Sequence, residues 1–119
     1  MAYPNRIDPA ATKELFTRLG LVAEQNVFFA DWRACLFGAI YVERFGKDDA
    51  RDAEDALKEG EITYRNIAFE LGLDPDYVQA AVYGWDGFSL SAASMGLDAD
   101  QAEAGYQDGV AAYANARGW

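Results

Sequence analysis

The sequence predicts an all-α fold, a compact bundle of about six to seven short helices that forms a single domain over residues 1–119. Three observations predict it. Apolar residues recur at helical spacing, glycines and capping residues divide the chain into helix-length segments, and no run shows the sustained period-two alternation of a strand. With 119 residues, 51% of them hydrophobic, the chain needs neither a metal nor a disulfide to fold.

The N-terminal half contains three of the predicted helices. The first follows Asp8, a capping residue, has Pro9 at its first position and runs to Gly20. The second is "DWRACLFGAIYVERFG" (31–46), and we expect it to be the central helix because one apolar stripe runs along it: Trp32, Cys35, Leu36, Ala39 and Ile40. The preceding "EQNVFF" is compatible with helical or extended structure. The third, over 47–60, is a charged surface helix.

The C-terminal half contains the remaining predicted helices, each opened by a capping residue. Thr63 opens a helix that ends near Leu71, and Asp74 with Pro75 opens one that is stopped by Gly84. A short helix is capped by Ser89. The last begins at Asp98 and runs toward Gly118, and we expect a kink or break near "QDG" because Gly105 and Gly109 weaken it.

A Gly-Leu-Asp turn occurs twice in this half, in 71–87 and again in 95–109. Glycine suits the left-handed position after a helix, leucine folds back onto the last turn, and aspartate caps the next helix. The sequence therefore predicts two helix–Gly-Leu-Asp–helix hairpins.

Charge is distributed unevenly along the chain, whose net charge is −10. Residues 66–116 contain no Lys or Arg but eight acids. Such a segment repels phosphate and attracts basic surfaces. Direct nucleic-acid binding through the helix-turn-helix-like hairpins is therefore not expected, since the second helix of a DNA-reading motif usually carries Lys or Arg for phosphates.

Catalytic and metal-binding chemistry are not expected. The chain has no histidine, which removes the commonest general base and metal ligand together. Its one cysteine, Cys35, lies in the apolar stripe of a predicted helix, and no phosphate loop or dinucleotide motif is present. We therefore predict no catalytic residue, no metal site and no cofactor. An enzyme that uses only paired carboxylates stays open as a third hypothesis.

Candidate partner-binding residues come from the acidic C-terminal half and from the aromatic "VYGWDGF" segment, where aromatic side chains are typical binding anchors. The candidates are Asp74, Asp76, Tyr83, Trp85, Asp86, Phe88, Asp98, Asp100, Glu103 and Asp108. A homodimer is also open, because the aromatic helix could present Phe28, Phe29 or Tyr41 to a second copy.

A cytoplasmic location is expected. The first residues lack the apolar core of a secretory signal, and a lone cysteine suits a reducing compartment. The most apolar run, 27–42, includes Asp31 and Arg33 and is too short and too charged for a membrane span.

Two motifs, found in three stretches, resemble those of small helical proteins of actinobacteria and their phages. "ACLFGAI" (34–40) is similar to the Cys-x-x-Gly-Ala helix of those proteins, and "LGLDPDYV" with "SMGLDADQAEAGYQDG" is similar to their Leu-Gly-Leu-acid turns. The resemblance covers about half of the chain. This sequence lacks the histidines and the Trp-Asn-Asp element that some of those proteins carry, and "GWDG" (84–87) is its nearest equivalent. The resemblance implies a bacterial or phage origin and no particular activity.

The leading hypothesis is a non-catalytic, acidic protein-binding factor whose C-terminal half meets a basic surface on a host protein. In a sharper version, this half imitates a nucleic-acid backbone and inhibits a nuclease or defence complex. The alternative is a helix-turn-helix DNA-binding regulator that uses the cations of the N-terminal portion, namely Arg6, Lys13, Arg18, Arg33, Arg44 and Arg51.

Overall fold

Helices account for most of the computed structural model, which describes residues 6–119. Within that range a short 3-10 helix (Pro9–Ala11) precedes seven α-helices: α1 (Thr12–Leu19), α2 (Leu36–Phe45), α3 (Lys47–Lys58), α4 (Tyr64–Leu71), α5 (Pro75–Asp86), α6 (Ala92–Met95) and α7 (Ala99–Arg117). The described chain is compact, with a radius of gyration of 13.2 Å. The prediction of a compact, mostly helical fold is confirmed. No helix in this range is both long and apolar enough to cross a bilayer.

A small three-stranded sheet makes the all-α prediction wrong in one respect. Strands β1 (Val22–Ala23), β2 (Phe29–Ala30) and β3 (Arg33–Ala34) lie in the order β1-β3-β2, with β1 parallel and β2 antiparallel to β3. The predicted second helix begins at Leu36 and not at Asp31, because Asp31 has a φ of 59° and closes a turn. Trp32, the first residue of the predicted stripe, is 57% exposed.

Gly38 in α2 allows the extended segment that contains Phe28 to pass close to this helix. A Cβ on Gly38 would lie 1.7 Å from the carbonyl oxygen of Phe28, so only glycine permits the contact. The amide of Cys35 donates to the same carbonyl at 3.2 Å. As a result Phe28, Phe29 and Tyr41 are buried in the chain's own core, and none of them is a surface for a second copy.

The most extensive helix pair is α5 with α7, and the two helices run parallel. Gly105 faces the carbonyl of Tyr77 and Gly109 faces that of Ala81, so residue numbers increase in the same direction along both helices. From the α5 side, Gly84 faces the backbone of Tyr106. The predicted stop at Gly84 is therefore wrong, since α5 continues to Asp86. A break in the last helix near "QDG" is also wrong, because α7 is continuous from Ala99 to Arg117.

Both Gly-Leu-Asp segments connect helices in the same way. Gly72 and Gly96 are left-handed, with φ of 71° and 69°. The following leucine amides donate back to the preceding helices, Leu73 to Ala68 and Leu97 to Ala92, each at 2.9 Å. The short helix α6 is capped by Ser91 and not by Ser89 as predicted.

The aromatic core is centred on Trp85, which is 1% exposed. Its ring stacks on Phe16 at a centroid distance of 5.7 Å and meets Tyr113 edge to face at 5.0 Å. Its indole nitrogen donates to the carbonyl of Glu24 at 2.8 Å. Trp85 thus joins α1, α5, α7 and the segment after β1.

Candidate functional site

Four of the predicted acids lie at the adjacent N-terminal ends of α5 and α7. Asp74 is 8% exposed and caps α5 by accepting from the amide of Tyr77 at 3.0 Å. Asp98 caps α7 by accepting from the amide of Gln101 at 3.0 Å. Asp76 and Asp100 stand in the first turns of their helices, and Asp100 is exposed.

Asp76 links the two helix ends. It accepts from the backbone amide of Asp98 at 2.9 Å and from Arg65 at 2.9 Å. The pKa of Asp76 lies below its ordinary value, mainly because of the Asp98 amide and then because of Arg65. Since parallel helices place two positive dipole ends side by side, acids at this point stabilise the pair. The structure therefore gives these acids a role within the fold.

Two further predicted residues have contacts inside the chain. Asp108 accepts a hydrogen bond from the hydroxyl of Tyr77, and this hydroxyl also accepts from the amide of Ile7 at 3.2 Å. Burial and then the Asp108 carboxylate raise the pKa of Tyr77. Trp85 is the buried centre of the core and exposes almost nothing to a partner.

Tyr83, Asp86 and Phe88 come together at the end of α5. With Val82 and Ser89 they line a surface depression of about 410 Å³. Phe88 is 53% exposed, and its ring meets that of Tyr83 edge to face at a centroid distance of 6.3 Å. The pKa of the half-buried Asp86 is raised by burial, although the amide of Asn26 donates to its carboxylate at 2.8 Å.

A second depression of about 420 Å³ adjoins the first through Ser89. It lies between the 87–91 connection and α7, and its lining includes Leu90, Glu103 and Tyr106. The hydroxyl of Tyr106 donates to the carbonyl of Phe88 at 2.9 Å, which ties the connection to α7. We call the two depressions together the aromatic groove, lined by Val82, Tyr83, Asp86, Phe88, Ser89, Leu90, Glu103 and Tyr106.

The backbone of the connection fixes the position of Phe88. Gly87 ends α5 in the left-handed conformation with a φ of 78°. The amide of Phe88 then donates back to the carbonyl of Tyr83 at 3.0 Å, which turns the chain toward α7. The Phe88 ring is therefore held at the surface by a helix terminus and not by burial.

Four residues of the groove escaped the sequence-based prediction: Val82, Ser89, Leu90 and Tyr106. Glu103, Tyr106 and Val110 share one face of α7 at positions i, i+3 and i+7, and Val110 is 46% exposed. That spacing in "EAGYQDGV" is the signal that could have identified the face. Gly105 and Gly109 obscure this signal, because glycine weakens a helix.

Of the six cations proposed for DNA binding, Arg6, Arg18 and Arg44 line one cleft, and Arg18, Arg33 and Arg51 form ion pairs. Arg18 pairs with Glu14 and Glu43, Arg33 with Glu24, and Arg51 with Asp48. Arg44 donates to the carbonyl of Leu71, Arg6 lies over the Tyr77 ring, and Lys13 lines a depression beside Trp119.

The thiol of Cys35 is held within the core of the fold. Cys35 is buried, accepts from the amide of Gly38 at 3.4 Å, and has its pKa raised to about 12 by burial. A thiol in this state is a poor nucleophile. Within residues 6–119, no group of three or more His, Cys, Asp or Glu side chains is arranged to hold a metal ion.

Comparison of the chain with protein-family models gives no match, and comparisons with curated proteins and with solved structures give none either.

Proposed function

We propose that the protein is a non-catalytic binding factor and that the aromatic groove is its interface with a partner protein. The observation that carries this proposal is the exposed Phe88 ring, which is held beside Tyr83 and Tyr106 at the rim of two adjoining depressions. Exposed aromatic side chains in a concave surface are typical anchors of protein interfaces.

The partner is expected to combine apolar and basic side chains. Asp86 lines one depression of the groove and Glu103 lines the other, Asp100 precedes Glu103 by one helical turn, and residues 66–116 contain no Lys or Arg. Lys or Arg at the edge of the partner would meet these carboxylates, while its apolar residues would cover Phe88. We propose a host protein of a bacterium or of a phage-infected cell as this partner.

A capture experiment with paired variants tests the proposal. The full chain is immobilised as wild type, as Phe88→Ser and as Phe69→Ser, and bound proteins from a lysate of the source organism are quantified by mass spectrometry. Phe69 is 71% exposed on α4 and lies outside the groove, so it is a matched control for loss of an exposed ring. We expect a basic protein that wild type and Phe69→Ser retain and that Phe88→Ser loses by about tenfold or more.

Two charge-reversal variants test whether the carboxylates at the groove contribute to partner binding. Glu103→Lys should weaken capture of the same protein, whereas Asp55→Lys, on the exposed face of α3, should leave it unchanged. Circular dichroism of each variant establishes that it is folded. Equal capture by wild type, Phe88→Ser and Glu103→Lys would refute the groove as the interface.

The sharper hypothesis of nucleic-acid mimicry predicts a different salt dependence. Binding that imitates a phosphate backbone weakens steeply as salt rises, because it depends on exposed charge. Binding through Phe88 and its neighbours retains its apolar part at high salt. Asp74, Asp98 and Asp108 accept hydrogen bonds within the chain. This use of the acids inside the fold favours the groove over mimicry.

A further inference from the structure

A cleft larger than either depression of the aromatic groove lies away from it. It has a volume of about 650 Å³ and is bounded by residues 6–8, α1, α2 and the turn after α4. That volume falls in the range of roughly 300–1,000 Å³ that is typical of small-molecule sites. The cleft shares no residue with the groove, so it requires its own explanation.

The floor of the cleft is aliphatic. Leu36, Leu71 and Leu73 are buried beneath it, and the half-buried Leu15 and Ile40 border it from α1 and α2. Aliphatic side chains from three separate elements therefore converge on one open space. A bound aliphatic chain would cover the surface that Leu15 and Ile40 still expose to water.

The charged side chains at the rim are Arg6, Asp8, Glu14, Arg18, Glu43 and Arg44. Arg6 lies over the ring of Tyr77. Arg18 is neutralised by Glu14 and Glu43, and Asp8 accepts from the amide of Ala10 at 3.1 Å. Arg44 differs from Arg18: it donates one N–H to the carbonyl of Leu71 at 3.1 Å, and within residues 6–119 it makes no ion pair with a carboxylate. A guanidinium has five N–H donors, so Arg44 can still bind an oxyanion.

We propose that this cleft binds a small amphipathic anion, with its aliphatic chain along the leucine floor and its acidic head at Arg44. The head is a carboxylate or a phosphate, since both accept two parallel hydrogen bonds from an arginine. Arg44 stands at the rim beside the aliphatic floor, in a protein of net charge −10. This combination of a cation and an aliphatic surface favours an amphipathic anion as the ligand.

Titrations of the full-length, ¹⁵N-labelled protein with three ten-carbon probes test the proposal. The probes are decanoate, decyl phosphate and decanol, and the readouts are amide shifts and calorimetric affinity. We expect saturable binding of one or both anions, with the largest shifts in α1, α2 and the turn at Gly72. Preference for decanoate identifies a carboxylate head, and preference for decyl phosphate identifies a phosphate head. Decanol should bind at least about tenfold more weakly.

Two arginine variants provide the matched comparison. Arg44→Gln should weaken binding of the preferred anion by about tenfold or more. Arg51→Gln removes the same charge from α3, where Arg51 pairs with Asp48 outside the cleft, and should bind as wild type does. The proposal is overturned by equal binding of decanol, by equal affinities of the two variants, by an absence of saturable binding, or by shifts that centre on Phe88.

Discussion

Individual carboxylates in the acidic half differ in what surrounds them. Asp74 and Asp98 are helix caps, Asp108 receives the Tyr77 hydroxyl, and Asp76 joins the starts of α5 and α7. Glu103 and Asp100 are exposed on α7. The charge of this half is therefore partly structural, and only its exposed members can meet a partner without loss of internal contacts.

Asp76 gives a prediction about pH. Its folded-state pKa is lowered by the Asp98 amide and then by Arg65, so its contribution to stability is present above the unfolded value near 3.8 and is lost as the pH falls through the folded value. We expect Asp76→Asn to lower the free energy of unfolding by about 1 kcal/mol at pH 7. Urea unfolding measured from pH 7 down to pH 2 checks this.

The control for this prediction is Asp55→Asn, which removes the same charge from an exposed position on α3. It should change stability little at any pH. The difference between wild type and Asp76→Asn should shrink below pH 3.8. A difference that stays constant down to pH 2 would contradict the role of the ionised carboxylate.

At the scale of elements, the parallel contact of α5 with α7 depends on glycines. A Cβ at position 109 would lie 2.2 Å from the carbonyl oxygen of Ala81, and one at position 105 would lie 2.2 Å from that of Tyr77. These atoms belong to the backbone of a buried helix, so they cannot move aside without separating the helices. The glycines that reduce helix propensity in α7 are the ones that permit its packing.

Gly109→Ala distinguishes helix propensity from helix packing, because the two have opposite effects on the free energy of unfolding. Propensity alone would stabilise the helix by about 1 kcal/mol. We expect overpacking to exceed it, with a net loss of about 1–3 kcal/mol in the free energy of unfolding. Urea denaturation measures the change, and Ala111→Gly, at an exposed position of α7, measures the propensity effect in the same helix. An increase in stability for Gly109→Ala would disprove the close contact.

Helix starts were largely predictable from sequence, because caps act locally. Asp74 with Pro75 and Asp98 identify the starts of α5 and α7 from a few neighbouring residues. The strands at 22–34 were not predictable in this way. Each is two residues long, too short to show a period, and depends on the contact of Phe28 with Gly38, which a pattern of neighbouring residues does not reveal.

The candidate site was predictable only in part, for a related reason. The aromatic segment 82–88 indicated Tyr83 and Phe88, which lie at the groove. It also indicated Trp85, but the position of this residue on α5 directs its side chain into the core. Tyr106 belongs to the groove because α7 runs parallel to α5, and that pairing depends on contacts between distant segments.

For the whole molecule, two surfaces of different chemistry lie on separate parts of the fold. The aromatic groove combines exposed rings with carboxylates, whereas the cleft between α1 and α2 combines an aliphatic floor with arginines. Because they share no residue, substitutions at Phe88 and at Arg44 should act independently. The binding of a partner protein is proposed for the groove alone.

Peptide selection on the immobilised protein tests that central proposal most directly. A random peptide library is selected in parallel on wild type, on Phe88→Ser and on Phe69→Ser, and the enriched sequences are compared. We expect peptides that combine aromatic or aliphatic residues with Lys or Arg, enriched on wild type and Phe69→Ser and lost on Phe88→Ser. Enrichment of the same peptides on Phe88→Ser, or of acidic peptides on wild type, would contradict the account.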